Sequence, residues 1–84
     1  MTRFTVVWPE SAQDELAEIW IRARDRAAVN AVARLIDIEL SRDAPTKGIQ
    51  LAEGLRTLFA PPLRVLFAVD ESDCVVEVVR VRVV

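Results

Sequence analysis

The sequence predicts an α+β fold: a helical hairpin packed on one face of a mostly antiparallel four-stranded sheet, in the order β-α-α-β-β-β. Three observations predict it. Two adjacent stretches between Pro9 and Ser41 carry apolar residues at helical spacing. The second half holds three β-branched and aromatic runs, separated by Pro61-Pro62 and by Asp70-Glu71-Ser72-Asp73. A short run of the same character, Arg3 to Trp8, precedes the helices.

Each element follows from local chemistry. Arg3-Phe4-Thr5-Val6-Val7-Trp8 favours a strand, and Pro9 stops it. In PESAQDELAEIWIRAR, Ala12, Leu16, Ile19, Trp20 and Ala23 form one helical stripe. Ser11 followed by Asp14 offers a cap, and Pro9-Glu10 offers an earlier start. Glu10, Asp14, Glu15 and Glu18 lie toward the helix start and Arg22, Arg24 and Arg26 toward its end. That order suits the helix dipole, and these charges read as a solvated face. A second helix fits Ala27 to Ser41, capped by Asp25, with Val29, Val32, Ile36 and Leu40 as its stripe and Ala28, Leu35 and Ile38 widening it. The short joint makes the pair an antiparallel hairpin. Pro45 and Gly48 break the pattern. Strands are expected over Leu55 to Phe59, Leu63 to Val69 and Cys74 to Val84.

The chain has 84 residues, read as one small domain spanning 1–84. Apolar residues make up 52%, more than so small a core accommodates easily, so part of that surface is expected to face a partner. The net charge is −2, which argues against a global field for nucleic acid. All four basic residues after Gly54 are nevertheless arginines. No leader peptide and no apolar run of membrane-spanning length is legible, and a single cysteine points to a reducing interior, the cytoplasm. Cys74 reads as a small apolar residue rather than a nucleophile.

The missing residue types exclude whole chemistries. There is no histidine and no tyrosine, so histidine triads are excluded, and the usual zinc sets cannot be assembled within the chain. Two glycines make no phosphate-cradling loop. No cofactor and no metal is expected. Proton transfer would fall to carboxylates, Lys47 or Cys74, whereas arginine can only stabilise negative charge.

Alternation along the strands then places the arginines. Leu55, Thr57 and Phe59, with Leu63, Val65, Phe67 and Val69, and with Val75, Glu77, Val79, Val81 and Val83, form the bulkier set and are expected under the helices. Arg56, Arg64, Arg80 and Arg82 are then expected together on the open face.

The order and spacing of these segments carry a family resemblance. An early strand leads into the acidic helix SAQDELAEIW. The second helix ends in a Pro-x-x-Gly connection, Pro45 to Gly48. Gly54-Leu55-Arg56, a proline turn, Leu63-Arg64-Val65-Leu66-Phe67, an acidic turn and VVEVVRVRVV follow. The chain resembles the RelE/ParE superfamily of toxins from type II toxin–antitoxin modules. The resemblance implies a toxin of the plasmid-stabilisation kind, neutralised by a cognate antitoxin and closer to ParE-like gyrase poisons than to complete ribonucleases. It leaves as alternatives a RelE-like, ribosome-dependent endoribonuclease and a non-toxic interaction module. It implies Arg64, with Arg56, as the catalytic candidates if RNA is cut, and Arg80, Arg82 and Lys47 as target- or partner-binding residues. The partners implied are the antitoxin and either gyrase or ribosome and mRNA, with no membrane, and a homodimer is left open. The aromatic residue usual before the strand arginine is Leu63 here, and the histidine, lysine or tyrosine of a basic tail has no match up to Val84.

Overall fold

A computed structural model describes residues 3–84. The chain runs β1 (Thr5–Val7), α1 (Glu10–Arg22), α2 (Arg26–Leu40), a single 3₁₀ turn (Ala44–Thr46), β2 (Ile49–Ala52), β3 (Leu55–Ala60), β4 (Leu63–Asp70) and β5 (Val75–Val83). The strands form one sheet in the order β1-β5-β4-β3-β2. All pairings are antiparallel except β1 with β5. The α+β class and the helical hairpin are as expected, but the sheet has five strands rather than four. The additional strand, β2, is short, exposed along its whole length and joined to β3 by Glu53-Gly54. Gly54 supplies the positive φ, 74°, that this tight turn needs. No helix among the described residues is long and apolar enough to cross a membrane.

The helices begin and end for identifiable reasons. Helix α1 opens at Glu10 with Pro9 at the cap position and no side-chain cap, which is the earlier of the two expected starts. At the other end Arg26 closes it. Its Nε donates to the Trp20 carbonyl and its Nη2 to that of Ile21, each at 3.1 Å, while its guanidinium carbon lies 4.4 Å from the centre of the Trp20 ring. Otherwise orphaned carbonyls thus gain a cationic donor. Asp25 caps α2 as expected, accepting from the Ala28 N–H at 3.0 Å.

The core lies between the hairpin and one face of the sheet. Ala12, Val29, Ile36 and Leu40 come from the helices, and Leu63, Val65, Phe67, Val76, Val78 and Val81 from β4 and β5. Leu35 and Ile38, expected to widen the α2 stripe, are exposed instead. Cys74 packs against the core, half-buried.

Two expected strand phases are wrong, and each has a structural cause. Two residues, Pro61-Pro62, join β3 to β4, which fixes Ala60 opposite Leu63 and hence Phe59 opposite Arg64. Directly opposed residues share a face. Because Leu63, Val65 and Phe67 fill the core, Leu58 and Ala60 lie on the helix side, and Thr57 and Phe59 face outward. In β5 the register shifts: Leu66 pairs with Arg80 but Phe67 pairs with Val78, leaving Val79 as an extra residue. This β-bulge resets the alternation. Val76 and Val78 before it and Val81 after it are all buried, a spacing of two and then three, whereas Val75 and Glu77 are not in the core.

Candidate functional site

The open face carries a shallow trough of about 460 Å³, lined by Ile49, Leu51, Thr57, Phe59, Arg64, Leu66, Arg80 and Arg82. Two cross-strand rows build it. One runs Ile49, Thr57, Leu66, Arg80; the other runs Phe59, Arg64, Arg82. Its apolar floor is solvent-accessible: Ile49 is 61% exposed, Leu51 57% and Phe59 51%. Large apolar side chains gathered at the surface beside convergent cations mark a binding surface.

Arg64, Arg80 and Arg82 therefore meet on the open face as expected. The bulge is what brings the last two there. Unbroken alternation would place Arg80 and Arg82 on the same side as the buried Val76 and Val78. Arg56 does not join them. It stands opposite Phe67 on the helix side, where its Nε donates to the Lys47 carbonyl at 2.6 Å and its Nη2 to that of Gly48 at 3.2 Å. The expectation of four arginines on one face is corrected to three, and the Arg56 side chain staples the 3₁₀ turn to β3. Gly48 is required there: with φ 66°, a Cβ would lie 2.0 Å from the Thr57 carbonyl oxygen. The Lys47 ammonium pairs with Glu39 of α2 at 3.1 Å and is not among the residues lining the trough.

The three arginines differ in their surroundings. Arg64 lies 5.8 Å from the centre of the Phe59 ring, in cation–π range, and has no carboxylate within ion-pair distance among the described residues. Arg80 and Arg82 share one carboxylate. Oε2 of Glu15 lies 3.1 Å from Arg80 Nη1 and 2.9 Å from Arg82 Nη1. Its Oε1 accepts the Val81 N–H at 2.9 Å. The hydrogen bond from Arg82, then that from Val81, then that from Arg80, hold the Glu15 carboxyl down at about 2, against the opposing effect of burial. Arg82 and Arg64 are opposed across the strands, a like-charge pairing that the Glu15 carboxylate relieves.

The role of Glu15 is not one that the charge pattern of α1 suggests. Among the four acidic residues read as a solvated face, its side chain is only 23% exposed. The available signal is its position: three residues after buried Ala12 and four before Ile19, it borders the apolar stripe. Phe59, Ile49 and Leu51 were likewise not candidates from sequence. The signal for Phe59 is the two-residue proline turn, which fixes its register against Arg64.

A larger cavity, about 610 Å³, lies at the far end of the hairpin between Ile19, Ala23, Ala28, Val29, Pro62 and Val83. Of the charged residues at its mouth, Glu18 and Arg22 pair with each other at 3.7 Å, and Asp25 is spent on the α2 cap. Arg24 also lines it, so among the described residues the cavity gathers one further cation, whereas the open face gathers three.

No protein-family model matches the chain, and no curated protein matches it in sequence. Solved structures match its fold over nearly the whole length. The RelBE2 toxin–antitoxin complex from Mycobacterium tuberculosis aligns at TM-score 0.80 and 22% identity, covering 100% of this chain and 94% of that one. The chromosomal ParDE toxin–antitoxin system of P. aeruginosa aligns at 0.76 and 19%, over 98% and 97% of the two chains. E. coli toxin RelE in its free state, with two arginines replaced by alanine, aligns at 0.67 and 14%, over 96% and 82%. The fold is that of RelE/ParE-superfamily toxins, which is the fold the sequence resemblance implies.

Proposed function

We propose that this chain is the toxin component of a type II toxin–antitoxin module, acting in the cytoplasm and neutralised by a cognate antitoxin. We further propose that it acts ParE-like, by binding a protein target of the gyrase class, and not as a complete ribonuclease. The fold supports the first part, since solved relatives of that fold include toxin–antitoxin complexes. The composition of the trough carries the second. Its lining combines three guanidiniums with an exposed apolar floor, and none of its residues is a group that exchanges protons near neutrality. Arginine stays protonated, and Thr57 Oγ1 donates to the Val65 carbonyl at 3.0 Å. The adjoining carboxylate, Glu15, is too weak a base with its carboxyl at about 2. Such a surface recognises anions and apolar side chains without moving protons.

One observation favours a second reading, RNA cleavage on the ribosome. Arg64, which has no carboxylate partner among the described residues, lies beside the Phe59 ring and offers a phosphate donor next to a stacking platform. Inducible expression with and without the neighbouring antitoxin gene separates the two. Growth arrest with lost supercoiling and intact mRNA is the expected result. Ribosome-dependent mRNA cleavage that disappears in Arg64→Ala would replace this reading with the second. No arrest from a protein verified as folded would leave a non-toxic interaction module.

A further inference from the structure

We propose that Glu15 is the specificity-determining residue of the open face: its carboxylate occupies Arg80 and Arg82 as a built-in counter-anion, so that phosphodiester backbones are excluded from two of the three guanidiniums. This deepens the reading of the trough as the working surface and rests on it.

The geometry is that of an occupied anion site. One carboxylate oxygen bridges two guanidinium nitrogens at 2.9 and 3.1 Å, and the other accepts a backbone N–H at 2.9 Å. Two guanidiniums and an N–H are the donors that hold a phosphate group. Here the ligand is supplied by the chain itself, from α1, and it is held locally at a concentration no external anion matches. The Val81 N–H gives Glu15 a second reason to stay, because β1 pairs only with Val75 to Glu77 and leaves the edge of β5 at Val81 without a strand partner. An entering phosphate would have to displace the carboxylate and orphan that N–H, or else approach with its own charge beside it. Arg80 and Arg82 each spend one Nη1 on this carboxylate and keep their other donors at the surface beside its charge, whereas Arg64 has no carboxylate partner among the described residues, with Phe59 at its side and Ile49, Leu51 and Leu66 in the floor. Such a face takes one anionic anchor flanked by apolar groups, as a protein segment presents, and disfavours a run of phosphates.

The test is fluorescence anisotropy with the purified full chain and a labelled single-stranded oligouridylate, titrated at several salt concentrations. Each phosphate contact to a single strand contributes about −0.7 to the slope of log K against log salt. The native chain should show a slope near −0.7, for Arg64, and lose its residual binding in Arg64→Ala. Glu15→Gln keeps an acceptor for Val81 but removes the counter-charge. It should steepen the slope to about −2 and tighten low-salt binding by about tenfold or more. Glu18→Gln makes the same change in net charge at a site paired only with Arg22, and should leave the slope near −0.7. A native slope already near −2, or a folded Glu15→Gln with native affinity and slope, would overturn the proposal. If Glu15→Gln does not fold, the native slope decides by itself. The assay reads purified protein, so an absence of growth arrest, which would sink the toxin reading, leaves its result intact.

Discussion

The two halves of β5 solve different problems with nearly the same residues. From Val75 to Glu77 the strand lies between β4 and β1, and Val76 and, one residue beyond, Val78 are fully buried. From Arg80 to Val83 it keeps β4 on one side, but β1 has ended and the Glu15 carboxylate takes the Val81 N–H on the other. Between the halves stands one extra residue, Val79. The first half contributes core and the second contributes charge. Valine is abundant in both, so composition does not distinguish them; the bulge and the neighbouring helix do. The lesson is that an arginine-bearing face can be cut out of a core strand by one inserted residue and one side chain borrowed from elsewhere.

Removing the insertion should break the comparison most severely. Deleting Val79 would restore strict alternation and turn Arg80 and Arg82 toward the helices and Val81 outward. Burying unpaired charges is among the few changes that cost more than about 4 kcal/mol, so no cooperative unfolding transition is expected by calorimetry. Val78→Ala comes next. It leaves a hole in the first half, and urea denaturation should show a loss of about 2 kcal/mol with an unchanged slope.

Glu15→Gln tests the second half and should cost up to about 2 kcal/mol at pH 7, since a carboxylate shared by two guanidiniums becomes a neutral contact, screened in part by solvent. Its pH dependence is more telling than its size. The folded-state carboxyl is depressed from 4.5 to about 2, so it stabilises the fold fully above 4.5, and that contribution is lost as pH falls toward 2. Native protein and variant should therefore differ in urea midpoint at pH 6 and converge near pH 2. Val83→Ala should do least. At 60% exposure Val83 has little to lose, and its change in stability should stay within about 0.5 kcal/mol.

Much of this architecture was legible because its periodicities are uninterrupted. Ile36 and Leu40 follow the α2 stripe into the core, Asp25 caps where its chemistry says it should, and Leu63-Val65-Phe67 alternates cleanly into the buried layer. The errors lie where one local signal competes with a distant one. Phe59 looks like core by composition, yet its pairing with Arg64 sends it outward. Val76 and Val78 are indistinguishable in type from Val75 and Val79, and a bulge leaves no mark in a run of valines. Arg56 and Arg64 read alike along the chain, but one is spent on the Lys47 and Gly48 carbonyls and the other has no such partner among the described residues. Strand β2 escaped because four exposed residues beside a glycine carry little burial signal. Glu15 escaped because its partners are 65 and 67 positions away.

The joint between the helices has a consequence for how the chain acquires this shape. Arg26 ties off the end of one helix from the first turn of the next, reaching back only five and six residues, and Asp25 starts that turn beside it. Contacts so near in sequence close small loops at little entropic cost, whereas pairing β1 with β5 must bring together residues 70 positions apart. The hairpin is thus expected to form first and the arginine face, which depends on the last strand meeting the first helix, to be assembled late, with high φ-values in the hairpin and low ones in β5.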